Sequence, residues 1–191
     1  MIDYLNFIEA QLQNQIQSKK HIVITGAIGS GKSTLLKALK DKLCLTDSAP
    51  GLITWNVPRK AVYMSKIGDA EPTLIGEFNP HSQSLRNRMR PVPDGFNIYG
   101  VSALADFIND DSEWVTIDEI GFLESDCQPY LDKLTGLFDQ KRIIAVVRKQ
   151  DIKHINDIVN REDALVIDLD ADSNLDLLPH LSDASKTSKG N

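Results

Sequence analysis

Apolar residues recur along this chain with two periods, and the change from one to the other marks out its elements. Ile2, Leu5, Ile8, Leu12 and Ile16 fall at three- and four-residue spacing with Glu, Gln and Asn between them, which predicts an amphipathic helix from Ile2 to about Gln17, within residues 1–18. His21-Ile22-Val23-Ile24-Thr25 is short and rich in β-branched residues, as a buried strand is, and Ser33 to Leu39 has the leucine spacing of a packed helix. Leu52–Val57, Ala61–Met64 and Leu74–Phe78 predict three more strands separated by turn formers such as Gly68-Asp69 and Glu71-Pro72. We read them as a β-hairpin insertion, followed by a loop from Asn79 to Gly95, so that 52–95 is a β-rich insertion and loop. A helix is expected over Val101–Ile108, and strands over Trp114–Asp118, Arg142–Val147 and Leu165–Leu169. Pro129–Phe138 and Ile152–Val159 are helical in spacing. Strands alternating with helices imply an α/β fold, a mostly parallel sheet covered on both faces that binds its ligand at the carboxyl ends of the strands.

At 191 residues the chain holds one substantial core, expected over residues 1–181. After Leu181 nothing apolar larger than Ala184 remains, so residues 182–191 are expected to be a disordered tail. A formal charge of -6 argues against a nucleic-acid-coating surface, and nucleic acid is not an expected partner. Cys44 and Cys127 stand far apart in no zinc-like or C-x-x-C spacing, which suits a reducing compartment. The start Met1-Ile2-Asp3-Tyr4 has no basic segment followed by an apolar core, and no apolar run approaches the ~20 residues that span a bilayer. These features predict a cytoplasmic protein with no membrane partner; the leading helix offers a surface for a protein partner.

The chemistry begins at Gly26-Ala27-Ile28-Gly29-Ser30-Gly31-Lys32-Ser33, which fits the G-x-x-x-x-G-K-[ST] phosphate-binding loop at every fixed position. Glycines there let successive backbone N–H groups turn inward around phosphate oxygens at the positive end of a helix. Lys32 is expected to bridge the β- and γ-phosphates, Ser33 to ligate Mg²⁺, and Thr34 to bond the α-phosphate. The bland alternative is a glycine-rich turn that only joins strand to helix. The predicted strand before the loop and helix after it favour the nucleotide.

Trp114-Val115-Thr116-Ile117-Asp118-Glu119 is an extended run ending in paired carboxylates, the form of a Walker B strand. Asp118 is expected to hold Mg²⁺ and Glu119 to orient a water and accept its proton. An acidic strand end facing solvent is the alternative, and the phosphate loop in the same chain favours the functional reading.

Asp118-Glu119-Ile120-Gly121-Phe122-Leu123-Glu124 resembles the D-E-I-G-x-[ML]-E signature of the P-loop nucleoside-triphosphatase family that includes the cancer-related nucleoside-triphosphatase. Gly51-Leu52-Ile53-Thr54 is similar to that family's G-F-x-T, Asn97-Ile98-Tyr99-Gly100-Val101 to its R-Y-G-V, Ile143 to Lys149 to its late strand with basic residues at the end, and Val159 to Asp163 to its N-R-x-D turn. The likeness spans about His21 to Asp170. Departures fall at Trp55-Asn56-Val57-Pro58-Arg59, over Ala61 to Arg90, and at Asn97-Ile98, where the family has arginine. The resemblance implies a three-layer αβα sandwich, RecA-like, of the additional-strand catalytic-glutamate class.

Arg148 and Lys149 follow a buried-looking strand whose carboxyl end faces the nucleotide. Arg148 is therefore a candidate catalytic cation on the transferring phosphoryl group, and a salt bridge to an acidic neighbour is the equal alternative. Arg161 is read as stabilising its turn. Arg86, Arg88 and Arg90 are candidates for a lid over phosphates or a small nucleic-acid contact. The four histidines show no metal-ligand spacing. The leading function is Mg²⁺-dependent hydrolysis of ATP, GTP or other NTPs, with no N-K-x-D motif to select a base. A nucleotide or small-metabolite kinase is the runner-up, and a nucleotide-gated interaction module the third reading.

Overall fold

The computed structural model describes residues 19–45, 49–82 and 88–170. The helix expected from Ile2, Arg86 and the tail after Leu181 lie outside the described residues.

Eight strands form one sheet: β1 (His21–Thr25), β2 (Gly51–Val57), β3 (Ala61–Lys66), β4 (Thr73–Phe78), β5 (Met89–Pro91), β6 (Trp114–Ile120), β7 (Arg142–Val147) and β8 (Ala164–Asp168). Their order across the sheet is β5-β4-β3-β2-β6-β7-β1-β8. The five strands from β2 to β8 in that order run parallel, and β3, β4 and β5 continue the sheet antiparallel beyond β2. The predicted hairpin is therefore part of the main sheet. β2 joins it because Gly51 to Ile53 pair in register with Thr116 to Asp118 of β6. No side chain fits at Gly51, where a Cβ would lie 2.6 Å from the Thr116 carbonyl oxygen.

Helix α1 (Lys32–Lys42) covers one face of the sheet; α2 (Val101–Asn109), α3 (Gln128–Gln140) and α4 (Lys153–Val159) serve the other. The two-residue period of the strands divides the core. Ile22 and Ile24 of β1 and Ile144 and Val146 of β7 pack with Leu35, Leu36 and Leu39 of α1. The alternate residues Val23, Ile143, Ala145 and Val147 pack with Leu104, Leu134, Leu137 and Ile155 on the opposite side. Each fully buried leucine or isoleucine stabilises the fold by about 2 kcal/mol.

The helices hold close to their expected limits, and α3 carries Pro129 in its first turn, where proline is well suited. One element was not expected: Gly95–Gly100 winds as a π-helical segment into α2. Gly100 permits it, since a Cβ there would lie 2.8 Å from the Tyr130 ring. Tyr99 anchors the segment to the end of β3, accepting from the Lys66 amide at 2.7 Å and donating to Asp69 at 2.8 Å.

His21 is buried at the start of β1, where its Nδ1 accepts from the Ile143 amide at 3.2 Å and its Nε2 lies 3.3 Å from Asp163. Burial pushes the imidazole down to about 4, against the opposing pull of Asp163. Its role is structural. Arg161 has one too, bonding Asp163 at 2.8 Å and lying over the Phe138 ring.

Candidate functional site

The loop between β1 and α1 takes its shape from backbone that only glycine adopts readily: φ is +81° at Gly29 and +95° at Gly31. A Cβ at Gly26 would meet the Ser30 hydroxyl at 2.8 Å, so the turn also closes too tightly for a side chain. Helix α1 has no side-chain cap, which leaves the free N–H groups of its first turn at the loop. The Ser30 hydroxyl oxygen is buried and has no partner among the described residues. Ile28 stands almost wholly in solvent at the tip. Lys32 is buried and donates to the carbonyls of Gly26 at 3.0 Å and Ala27 at 2.8 Å. An acid already touches this cradle, since Asp170 accepts from the Ala27 amide at 3.0 Å and Lys149 bonds both Asp168 and Asp170.

Strand β7 lies between β1 and β6, so one strand separates the phosphate loop from the paired carboxylates. Trp114 packs on the α1 side, and alternation carries Thr116 and Asp118 to that same face. There Asp118 meets the Ser33 hydroxyl. Burial raises the Asp118 carboxyl above its ordinary range and the charge of Glu119 adds to this, while the Ser33 hydrogen bond and the Lys32 charge oppose it. The pairing of β6 with β7 shifts between Asp118 and Ile120. Glu119 thus faces a different neighbour: its amide donates to the Thr54 hydroxyl at 3.1 Å, and its carboxylate is bonded by the Arg148 Nε. Arg148 is held in turn by its own amide on the Ile120 carbonyl at 2.9 Å and by a side chain lying across Gly121, 3.1 Å from where a Cβ would be.

The fold therefore brings Lys32, Ser33, Asp118, Glu119 and Arg148 to one end of the sheet. Arg90 is elsewhere, paired with Glu77 at 2.5 Å. Sequence reasoning gave no role to Thr54 or Glu124, although both fall within motifs it quoted. It also passed over the stacked pair of Trp55 and Tyr63, 5.9 Å apart on the sheet face that Asp118 shares.

Glu124 is buried in the turn after β6 and accepts from the Gly121 amide at 2.8 Å. Burial pushes its carboxyl up to about 7, with the Glu119 charge adding to it and the backbone amides and Arg148 opposing. Across mildly acidic pH Glu124 and His21 bias stability in opposite directions. The folded chain carries a proton on Glu124 that the unfolded chain lacks between about 7 and 4.5, so acidification favours folding there. The unfolded chain carries a proton on His21 that the folded chain refuses between about 6.5 and 4, so acidification favours unfolding. Each contribution is on the order of 3 kcal/mol. Wild-type stability is therefore expected to change little from pH 7 to 5, while Glu124→Gln, left with His21 alone, loses stability over that interval. Urea unfolding at both pH values measures this, and parallel behaviour of the two proteins would contradict it.

A family model described as NTPase (NTPase_1) matches residues 21–181. The chain belongs to this NTPase family. Nucleoside-triphosphatase THEP1 of Thermotoga sp. (strain RQ2) and that of Thermotoga maritima are each 27% identical to it over 180 residues, covering 88% of this chain and 97% of theirs. Among solved structures, THEP1 from Aquifex aeolicus matches with a TM-score of 0.63 at 22% identity, over 84% of this chain and 98% of that one. A human cancer-related nucleoside triphosphatase matches with a TM-score of 0.61 at 19% identity, over 90% and 100%. These two likenesses concern the fold, and they agree with the NTPase layering described above. No helix among the described residues of this NTPase is long and apolar enough to cross a membrane.

Proposed function

We propose that this NTPase hydrolyses ATP, GTP and other nucleoside triphosphates to the diphosphate and phosphate with Mg²⁺, using Glu119 to activate water. The observation that carries this reading is the meeting of Ser33 and Asp118 with Lys32 beside them. A hydroxyl and a carboxylate supply hard oxygen donors. Among the described residues no group of three His, Cys, Asp or Glu side chains is placed to hold a metal alone. Two protein ligands completed by phosphate oxygens and water suit Mg²⁺ better than a cation that needs an all-protein cage. Held by Ser33 and Asp118, the ion would supply charge neutralisation for the phosphates.

The chain's own groups do the remainder. Loop amides and the Ser30 hydroxyl receive phosphate oxygens, and Lys32 leaves the Gly26 and Ala27 carbonyls for the β- and γ-phosphates. Glu119 orients a water and takes its proton as the new P–O bond forms and the bond to the diphosphate breaks. Arg148, bonded to Glu119, is the cation that sets where this carboxylate points.

Phosphate release from each NTP, with no acceptor added, tests this in the presence of Mg²⁺ and of EDTA. Turnover is expected with Mg²⁺ and is expected to vanish in EDTA. Undiminished release in EDTA would overturn the metal, and no release from any NTP would overturn hydrolysis.

A further inference from the structure

Glu124 is an ionisable group where a neutral acceptor would meet the structural need. It is 3% exposed, and its bond from the Gly121 amide could equally be accepted by a glutamine. Burying a carboxylate is unfavourable unless a charge partner repays it, and the cation acting on this one is Arg148. The same Arg148 is bonded to Glu119. One guanidinium is therefore bonded to a carboxylate at the rim of the site and lines the same small cavity as a second one inside.

The geometry around Gly121 connects them. Glu124 holds the Gly121 amide, the His154 Nε2 donates to its carbonyl at 2.8 Å, and the Arg148 side chain crosses its Cα. A cavity of about 30 Å³, room for one water, is lined by Thr54, Glu119, Gly121, Glu124 and Arg148. As long as Arg148 is bonded to Glu119, an oxygen that should receive a proton from water is engaged. A second seat for the guanidinium, a short swing across Gly121, would release it.

We propose that Glu124 is a positioning residue for hydrolysis: as a second carboxylate beside Arg148 on the same small cavity, it draws the guanidinium off Glu119 and leaves that carboxylate open to the attacking water. The inference rests on the role given to Glu119 above. Only ionised Glu124 can compete for Arg148. The other ionisable groups around it are Glu119 on β6, Asp126 and Cys127 in the turn, Tyr130 on α3, and His154 on α4 beyond the Gly121 carbonyl.

The test is kcat and KM for MgATP from pH 5.5 to 9 in wild type, Glu124→Gln, Glu124→Asp and Glu119→Gln, each as the full chain. Wild-type kcat is expected to rise with pH through a midpoint at about 7 to a plateau, with KM nearly constant. Glu124→Gln keeps the acceptor for Gly121 but not the charge; its kcat is expected to be flat and about ten- to a hundredfold below that plateau, with little change in KM. Glu124→Asp keeps the charge and is expected to recover part of the rise. A purely structural Glu124 would leave the glutamine variant with the wild-type profile, and that result overturns the proposal. So does a wild-type profile without the rise, which decides the matter even where a variant folds poorly. Full turnover by Glu119→Gln would instead overturn the reading of Glu119, which separates the two failures.

Discussion

Glu119→Gln is expected to bind MgATP as wild type does and to hydrolyse it about 10²- to 10⁴-fold more slowly. Glutamine is nearly the same size and keeps an oxygen for the Arg148 Nε, so the exit from β6 and the Thr54 contact with its amide survive. What disappears is the group that can take a proton. Asp118, on the opposite side of the strand end with Ser33, is untouched by the change. Binding measured by calorimetry with phosphate release on the same preparation reads both halves of the expectation. Wild-type turnover in the variant would remove Glu119 from the mechanism. A kinase would show a different pattern, with negligible release in wild type until an acceptor is supplied.

Lys32→Ala is expected to lower triphosphate affinity at least about a hundredfold, the equivalent of roughly 3 kcal/mol for a lost charge-assisted contact. The melting temperature should hardly move. Lys32 is buried, yet its bonds go to the Gly26 and Ala27 carbonyls of a loop at the surface, where water can replace the ammonium. The leucines that attach α1 to the sheet, Leu35, Leu36 and Leu39, follow Lys32 along the same buried stripe one to two turns further in and keep their own core contacts. Equal affinity of variant and wild type by calorimetry would rule out this lysine as a phosphate ligand.

The sequence was most legible where local physics and global fold agree. The run His21 to Thr25 is buried along its whole length between two parallel neighbours, so it shows as an uninterrupted apolar segment with the limits expected. The phosphate loop was legible because its backbone demands glycine at fixed spacing. The β2, β3 and β4 segments were recognised as strands but not as members of the main sheet, because pairing partners are set by register across long loops. Ile53 opposite Asp118 is a relation between residues 65 apart that no local period records. The π-helical segment was missed for a similar reason, since Gly100 is excused by the Tyr130 ring, an aromatic from another helix. Arg148 was left between two roles, and the fold supplies its ion pair with Glu119 without excluding service to phosphate. Glu124 was invisible as chemistry because an acidic residue in a turn reads as solvated; its burial distinguishes it.

The two tryptophans make this protein its own optical instrument. Trp114 sits beneath Arg142 at the start of β6, buried and about 20 Å along the strand direction from the level of Trp55. Trp55 is partly open to solvent, stacked on Tyr63, and lies two residues beyond the pairing partner of Asp118. Its emission responds to changes in polarity at the carboxyl end of the sheet, where Trp114 is blind. A chain carrying Trp114→Phe has a single tryptophan, beside its site, so rapid-mixing records of nucleotide arrival and departure need no attached dye.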